Sequence, residues 1–123
     1  MSGHRIIGTK VPKLDAWDKV TGAARYGHDM TLPGMLHGKI LRSPHPHARI
    51  KRIDVRRAEA VPGVHCVLTA DRVRVGKLGF LGDHPVLKGD KVRCVRDEVA
   101  AVAATSEAAA EEACSLIRVD YEP

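Results

Sequence analysis

An α+β fold in a single domain is predicted by three observations. The chain has 123 residues, within the usual 100 to 150 of one domain. Most of it reads as short β-branched or apolar runs separated by Gly and Pro, the signature of strands and turns rather than long helices. Only one segment, near the C-terminus, carries a sustained helical period. Hydrophobic residues make up 44% and charged residues 28%, a globular balance that excludes disordered, collagen-like and coiled-coil chains. Aromatics are scarce at 3% (Trp17, Tyr26, Phe80, Tyr121), so the core must be aliphatic and modest.

The elements are expected in the following order. Residues 1–31 mix Gly, Pro, Lys and Asp without a period and read as an extended arm holding one short strand at most. Leu32, Pro33 and Gly34 set a turn in which Gly accepts the positive φ. Met35–Arg42 alternates as a half-buried strand, with Leu36, Gly38 and Ile40 on one face and His37, Lys39 and Leu41 on the other. Ser43–His47, SPHPH, cannot continue it, because Pro44 and Pro46 lack ladder donors. Ala48–Val55 resumes a strand, Arg56–Ala60 forms one helical turn, and Pro62–Gly63 closes it. Val64–Thr69 is short and apolar and reads as a central strand. Thr69 and Asp71 are placed to cap a short turn running to Val73. Residues 75–90 form a loop rich in glycine (Gly76, Gly79, Gly82, Gly89), tethered by Phe80, Leu81, Val86 and Leu87. Lys91–Val95 and Val99–Ala104 read as two strands across a tight turn at Arg96 and Asp97, the second buried on both faces. Ser106 is an N-cap, Glu107 complements the helix dipole, and Ala110, Ala113, Cys114 and Ile117 share one helical face. Arg118–Tyr121 returns as an edge strand.

Charge is unevenly spread. Residues 1–57 hold twelve basic and four acidic side chains and the rest eight and eleven. The densest basic stretch, from Arg42 to Arg57, fits either a solvated strand face or a patch meeting an acidic partner or phosphates. It has no interleaved aromatics for base stacking, which argues against nucleic acid. A freestanding basic binding module is the alternative reading of the chain, and steep weakening of binding with salt would distinguish it. No apolar run reaches the roughly 18 residues of a membrane span, and no signal-peptide stretch opens the chain. The expectation is a cytoplasmic protein without a membrane partner.

Candidate chemistry is thin. Cys66, Cys94 and Cys114 are odd in number and lack C-x-x-C spacing, so Cys66 and Cys114 are expected to be small buried hydrophobes. His45 and His47 form an H-x-H that offers two metal ligands if it lies on a strand, but the prolines favour an exposed structural corner. The loop glycines match no phosphate-binding motif. Ser43 and Ser115 lack a nucleophile-elbow context, and Asp83 beside His84 reads by default as polar loop. No catalytic, cofactor or metal residues are assigned.

Five segments taken together carry a resemblance: KVPKLDAWDKVTGAARYGHDM, LPGMLHGKILRSPHPHARIKRIDV, AVPGVHCVLTADRV, HPVLKGDKVRCV and AEEACSLIRVDYE. In content, order and spacing they resemble the N-terminal α/β hammerhead domain of the molybdenum-binding large subunit of xanthine dehydrogenase and aldehyde oxidase type hydroxylases, from about Lys10 to Glu122. The resemblance implies a mixed sheet with one main C-terminal helix and one or two short helices. It implies an enzyme that hydroxylates carbon next to nitrogen or oxygen with oxygen from water, at molybdopterin-bound molybdenum, with electrons leaving through iron–sulfur clusters, usually to FAD. In that family the cofactor and substrate loops lie downstream, so the chain is expected to act as a structural part that is not catalytic alone. It would pack against the remaining molybdenum-binding domains and the iron–sulfur and flavin subunits or domains. Arg42, His45, His47 and Arg49 are the candidate inter-domain contacts. One departure stands out: VRCVRDEVA replaces the family's frequent VRYVGEPVA, with Arg96 where Gly would ease a positive φ.

Overall fold

The structure is a computed structural model that describes residues 7–8, 10–73 and 76–123. The chain forms two compact units, Met1–Pro33 and Gly34–Pro123. In the first, α1 (Ala16–Thr21) is held by the Thr21 hydroxyl, which donates to the Trp17 carbonyl at 2.8 Å, and by an Asp15–Lys19 pair. Gly22, at φ 75°, ends it in the left-handed conformation that glycine adopts without strain. A 3-10 turn follows at Gly27–Asp29, where the Asp29 carboxylate accepts from the Tyr26 N–H. The expected extended arm is corrected: it carries a helical turn, which the local i to i+4 pairs favour, and no strand among its described residues. None of α1 is buried, and Leu14, Trp17 and Val20 are exposed.

The second unit contains β1 (His37–Arg42), β2 (Ala48–Asp54), α2 (Arg56–Glu59), β3 (Val64–Thr69), β4 (Lys91–Val92), β5 (Glu98–Ala104), α3 (Glu107–Leu116) and β6 (Arg118–Glu122). They make an α+β fold, as expected. The single mixed sheet is corrected: there are two three-stranded sheets, β1-β5-β3 and β4-β2-β6, and every pairing is antiparallel. None of the four pairings joins strands that are consecutive in the chain, so neither sheet contains a hairpin.

Two strand assignments also change. β5 occupies the centre of the first sheet, which suits its nearly all-apolar sequence, and β3 is an edge. Lys91–Val92 does not form a hairpin with β5 but pairs with β2 in the other sheet. The intervening turn is held instead by Asp97, whose Oδ2 accepts from the Arg93 and Cys94 N–H groups at 2.7 and 3.2 Å. Arg96 sits there at φ 78°, the left-handed geometry anticipated for a position where glycine is usual.

The helix reading of the C-terminal segment holds. The Ser106 hydroxyl accepts from the Ala109 N–H at 3.2 Å, and Ala110 and Ala113 are fully buried. Their small side chains let α3 lie close on β1 and β5. The main core joins Ala58, Val61, Val67, Ala100, Val102, Ala104, Ala110, Ala113 and Ile117. A smaller cluster of Ala48, Val92 and Val99 is packed by Ile50, Ile53, Val119 and Tyr121. Gly63, at φ 88°, turns the chain tightly enough that a Cβ would lie 2.6 Å from the Thr105 hydroxyl.

Leu87 is buried and Val86 half-buried, but Phe80 and Leu81 are exposed, so only the C-terminal part of the glycine-rich loop is tethered. The start of that loop, at Val75, lies outside the described residues. Thr69–Val73 makes a turn, with the Thr69 carbonyl accepting from the Arg72 and Val73 N–H groups, rather than a helix. Cys66 and Cys94 are exposed and Cys114 half-buried, which corrects the expected burial of Cys66. Among the described residues no helix is long and apolar enough to cross a membrane.

Candidate functional site

The SPHPH corner carries the chain from β1 in one sheet to β2 in the other. Its geometry centres on Ser43, which is buried. The Ser43 N–H donates to the Asp97 carbonyl at 2.9 Å, and its carbonyl accepts from the Arg96 N–H at 3.0 Å. Its hydroxyl accepts from the His45 N–H at 3.0 Å. The His45 ring meets Tyr121 edge-on, 4.9 Å between centroids. Burial pushes the Tyr121 phenol above its ordinary pKa, and the Ser43 hydroxyl partly offsets that.

The four candidate contact residues surround this corner but do not converge. Arg42 stays exposed but is anchored along the sheet: its Nη1 donates to the Glu98 carboxylate at 2.5 Å and to the Arg96 carbonyl at 2.8 Å. Burial pushes the Glu98 carboxyl up, but its own backbone N–H and Arg42 outweigh this and hold it below the ordinary value. His45 is half-buried against Tyr121, whereas His47 is exposed. The residues between the strands are not extended in a ladder, so the two imidazoles do not share a strand face. Arg49 is exposed on β2, opposite Glu122 and Lys91.

Much of the surrounding basic stretch is matched by carboxylates. Lys51 pairs with Glu122 at 3.1 Å, and Arg56 binds Asp54 through both Nε and Nη2. The Asp54 carboxyl is held far below its ordinary range, chiefly by the Arg56 side-chain hydrogen bond. Among the described residues no cluster of three or more His, Cys, Asp or Glu is arranged to hold a metal.

A second feature, not anticipated from the sequence, is a cavity of about 560 Å³ beside the glycine-rich loop. The Lys88 side chain is 4% exposed at its wall. Its Nζ donates to the Pro85 carbonyl at 2.9 Å and lies 3.4 Å from His84 Nε2 and 4.0 Å from Asp97. The only hint in the sequence is a lysine following the apolar run PVL. Lys77, Lys88 and Arg93 are balanced there by Asp83, Asp90 and Asp97. Among the described residues no buried side-chain polar atom lacks a partner. The charged side chains lining the cavity therefore balance, and none of its buried donors is spare.

The third feature is the face of the first sheet that α3 leaves uncovered. Register places Ile40, Ala101 and Leu68 directly opposite one another in one row, and Gly38, Ala103 and Cys66 in the next. Ile40 is 49% and Leu68 38% exposed. None of the six is charged, although a solvated antiparallel face normally alternates to polar residues. The sequence placed Gly38 and Ile40 together on one face, and the structure shows that this is the outer one.

The comparisons with known proteins agree. The chain matches the family model described as aldehyde oxidase and xanthine dehydrogenase, a/b hammerhead domain, over residues 21–123. It is 46% identical over 109 residues to a probable xanthine dehydrogenase subunit of Bacillus subtilis, covering 87% of this chain and 15% of the relative. It is 41% identical to the carbon monoxide dehydrogenase large chain of Afipia carboxidovorans, covering 95% and 15%. The nicotinate dehydrogenase large molybdopterin subunit of Eubacterium barkeri is 37% identical, over 97% of this chain and 28% of its own. In structure the chain resembles a Cu,Mo-CO dehydrogenase with a TM-score of 0.86 and 40% identity, covering 94% of this chain and 15% of that one. A quinoline 2-oxidoreductase of Pseudomonas putida 86 gives a TM-score of 0.79 at 38% identity, covering 94% and 16%. The chain thus spans between about one seventh and one quarter of these relatives' lengths. With residues 21–123 matched and the fold reproduced throughout, the chain belongs to the a/b hammerhead domain family of aldehyde oxidase and xanthine dehydrogenase.

Proposed function

We propose that the chain is the structural hammerhead domain of a molybdenum hydroxylase large subunit, a scaffold that is not catalytic alone. The observation that carries this is one of extent: 94–97% of the chain aligns with dehydrogenase large chains while covering only 15% to 28% of them. On this reading molybdopterin, the iron–sulfur clusters and FAD belong to the complete enzyme, and hydroxylation takes its oxygen from water there. The domain packs against the remaining molybdenum-binding domains of the large subunit and against iron–sulfur and flavin subunits or domains, in the cytoplasm. Residues 1–123 form one hammerhead domain, with an N-terminal arm at 1–31 and a loop at 75–90. Arg42, His45, His47 and Arg49 are the inter-domain contacts, and Arg42 also holds the corner in shape through Glu98 and the Arg96 carbonyl.

The test is to isolate the protein that carries this chain and measure its molybdenum content and its transfer of oxygen from isotopically labelled water. The expected result is stoichiometric molybdenum and labelled product from the complete protein, with neither from residues 1–123 alone. A protein containing this chain but no molybdenum-binding polypeptide would refute the reading.

A further inference from the structure

We propose that the hollow between the end of β2, α2 and the α3–β6 junction is a binding site for the phosphate dianion of a small organic phosphate monoester. It lies at the far end of β2 from the SPHPH corner, in a part of the basic stretch for which the scaffold reading has no use. The hollow encloses about 310 Å³ and is lined by Asp54, Arg56, Arg57, Ala60, Leu116 and Arg118. Chain geometry gathers the three guanidinium groups on one wall. Arg56 and Arg57 are adjacent at the start of α2, and Arg118, the first residue of β6, pairs directly opposite Asp54 at the end of β2.

Charge decides the ligand. Asp54 carries the one carboxylate among the lining residues, and it is committed to Arg56. Its Oδ1 accepts from the Arg56 backbone N–H at 3.1 Å and from Nε at 3.0 Å, and its Oδ2 accepts from Nη2 at 2.6 Å. That fork fixes the Arg56 guanidinium and leaves its Nη1 donors uncommitted among the described residues. Glu59 on α2 pairs with Arg72, and Glu122 on β6 with Lys51. Among the described residues neither Arg57 nor Arg118 has a carboxylate within ion-pair distance. Three positive charges against one negative leave an excess of two, which matches a phosphate monoester at about −1.5 to −2 near neutral pH. A single carboxylate would leave one arginine uncompensated. Guanidinium groups hold phosphate oxygens through paired N–H bonds, where a lysine supplies only a point charge. Ala60 and Leu116 add an apolar wall that suits a carbon skeleton attached to the phosphate and is wasted on the free ion. The volume is at the low end of ligand pockets, which run from about 300 to 1,000 Å³, so the ligand is compact. With no aromatic side chain on the wall to stack a base, the hollow does not suit a nucleic acid strand.

The test uses the complete protein that carries this chain, at fixed ionic strength, with phenyl phosphate as the probe. Phenylglyoxal modification of Arg57 and Arg118, read by peptide mass spectrometry, is expected to slow at least fivefold when phenyl phosphate is saturating. In calorimetric titration, Arg57→Gln combined with Arg118→Gln is expected to weaken phenyl phosphate binding at least tenfold, because each change removes charge-assisted bonds. Both side chains are exposed, so the urea midpoint of the variant should stay at the wild-type value. Unprotected arginines, or a titration that the double variant leaves unchanged, overturn the proposal. So do arginines that are already unreactive without the probe, which would mean that the hollow is covered in the complete protein. Inorganic phosphate bound as tightly as phenyl phosphate removes the role of the apolar wall and overturns the monoester assignment. Tetraglutamate that protects better than phenyl phosphate assigns the hollow to an acidic polypeptide and overturns it as well.

Discussion

The two faces of the β1-β5-β3 sheet are built from alternate residues of the same three strands, yet they have opposite fates. The inner face presents Leu41, Val67, Ala100, Val102 and Ala104 to the main core and is covered by α3. The outer face presents Gly38, Ile40, Cys66, Leu68, Ala101 and Ala103 and is covered by nothing in this unit. Both are apolar. Alternation therefore fixes which residues travel together but not which set meets the chain's own helix. Here the inner set is recognised by what lies beside it: Lys39, on the same side of β1 as Leu41, reaches Glu107 at the start of α3 at 2.8 Å.

The strongest challenge to this contrast is a pair of truncations. Val67, 3% exposed, should lose about 2 kcal/mol as Val67→Ala because it leaves a cavity in the core. Ile40→Ala, on the half-exposed face, should lose less than about 1 kcal/mol in the isolated domain. Equal losses in urea unfolding would erase the distinction between the faces. Next in size is the cover itself: Ser106→Ala removes the N-cap of α3 and should cost about 1 kcal/mol, visible as a lower urea midpoint. Loss of the cap without loss of stability would show that the inner face does not depend on this helix end.

Arg96→Gly acts in the other direction. Relief of the left-handed φ outweighs the extra flexibility of glycine in the unfolded chain, for a net gain of about 0.5 kcal/mol. Arg96→Ala keeps the strain and should give no gain, so a thermal melt in which both variants rise equally would locate the effect in the side chain. The smallest effect is with pH. The folded Glu98 carboxyl lies below its ordinary value of 4.5, so the unfolded chain takes up the proton first as pH falls. The Glu98 contribution is complete above pH 4.5 and is lost as pH falls through the lower folded value. Arg42→Met should flatten that part of the stability profile, and an unchanged slope would detach Glu98 from Arg42.

The local half of this fold is legible in the sequence and the long-range half is not. Ser106 followed by Ala110, Ala113 and Ile117 identifies α3 because cap and period lie within a dozen residues. Pro33–Gly34 and Pro62–Gly63 identify their turns for the same reason. What escapes is pairing. Nothing within KVRCV says that Lys91–Val92 joins β2 while Val99–Ala104 joins β1 and β3, since the Asp97 side chain replaces the hairpin ladder with two bonds of its own. The candidate site divides likewise. The prolines show that His45 and His47 lie at a corner, but the anchoring of Arg42 depends on Glu98, 56 positions away. The burial of Lys88 depends on a carbonyl three residues back and on loop geometry, neither of which has a residue signature.

The scarcity of aromatics has a practical corollary for anyone following the folding of this domain by light. The only tryptophan, Trp17, is 76% exposed and lies in the Met1–Pro33 unit, so its emission is blind to the collapse of the aliphatic core. Phe80 and Tyr26 are exposed as well. That leaves Tyr121, half-buried at the end of β6 with its ring against His45 and its hydroxyl near Ser43, as the one intrinsic chromophore that registers whether the corner between the two sheets has closed.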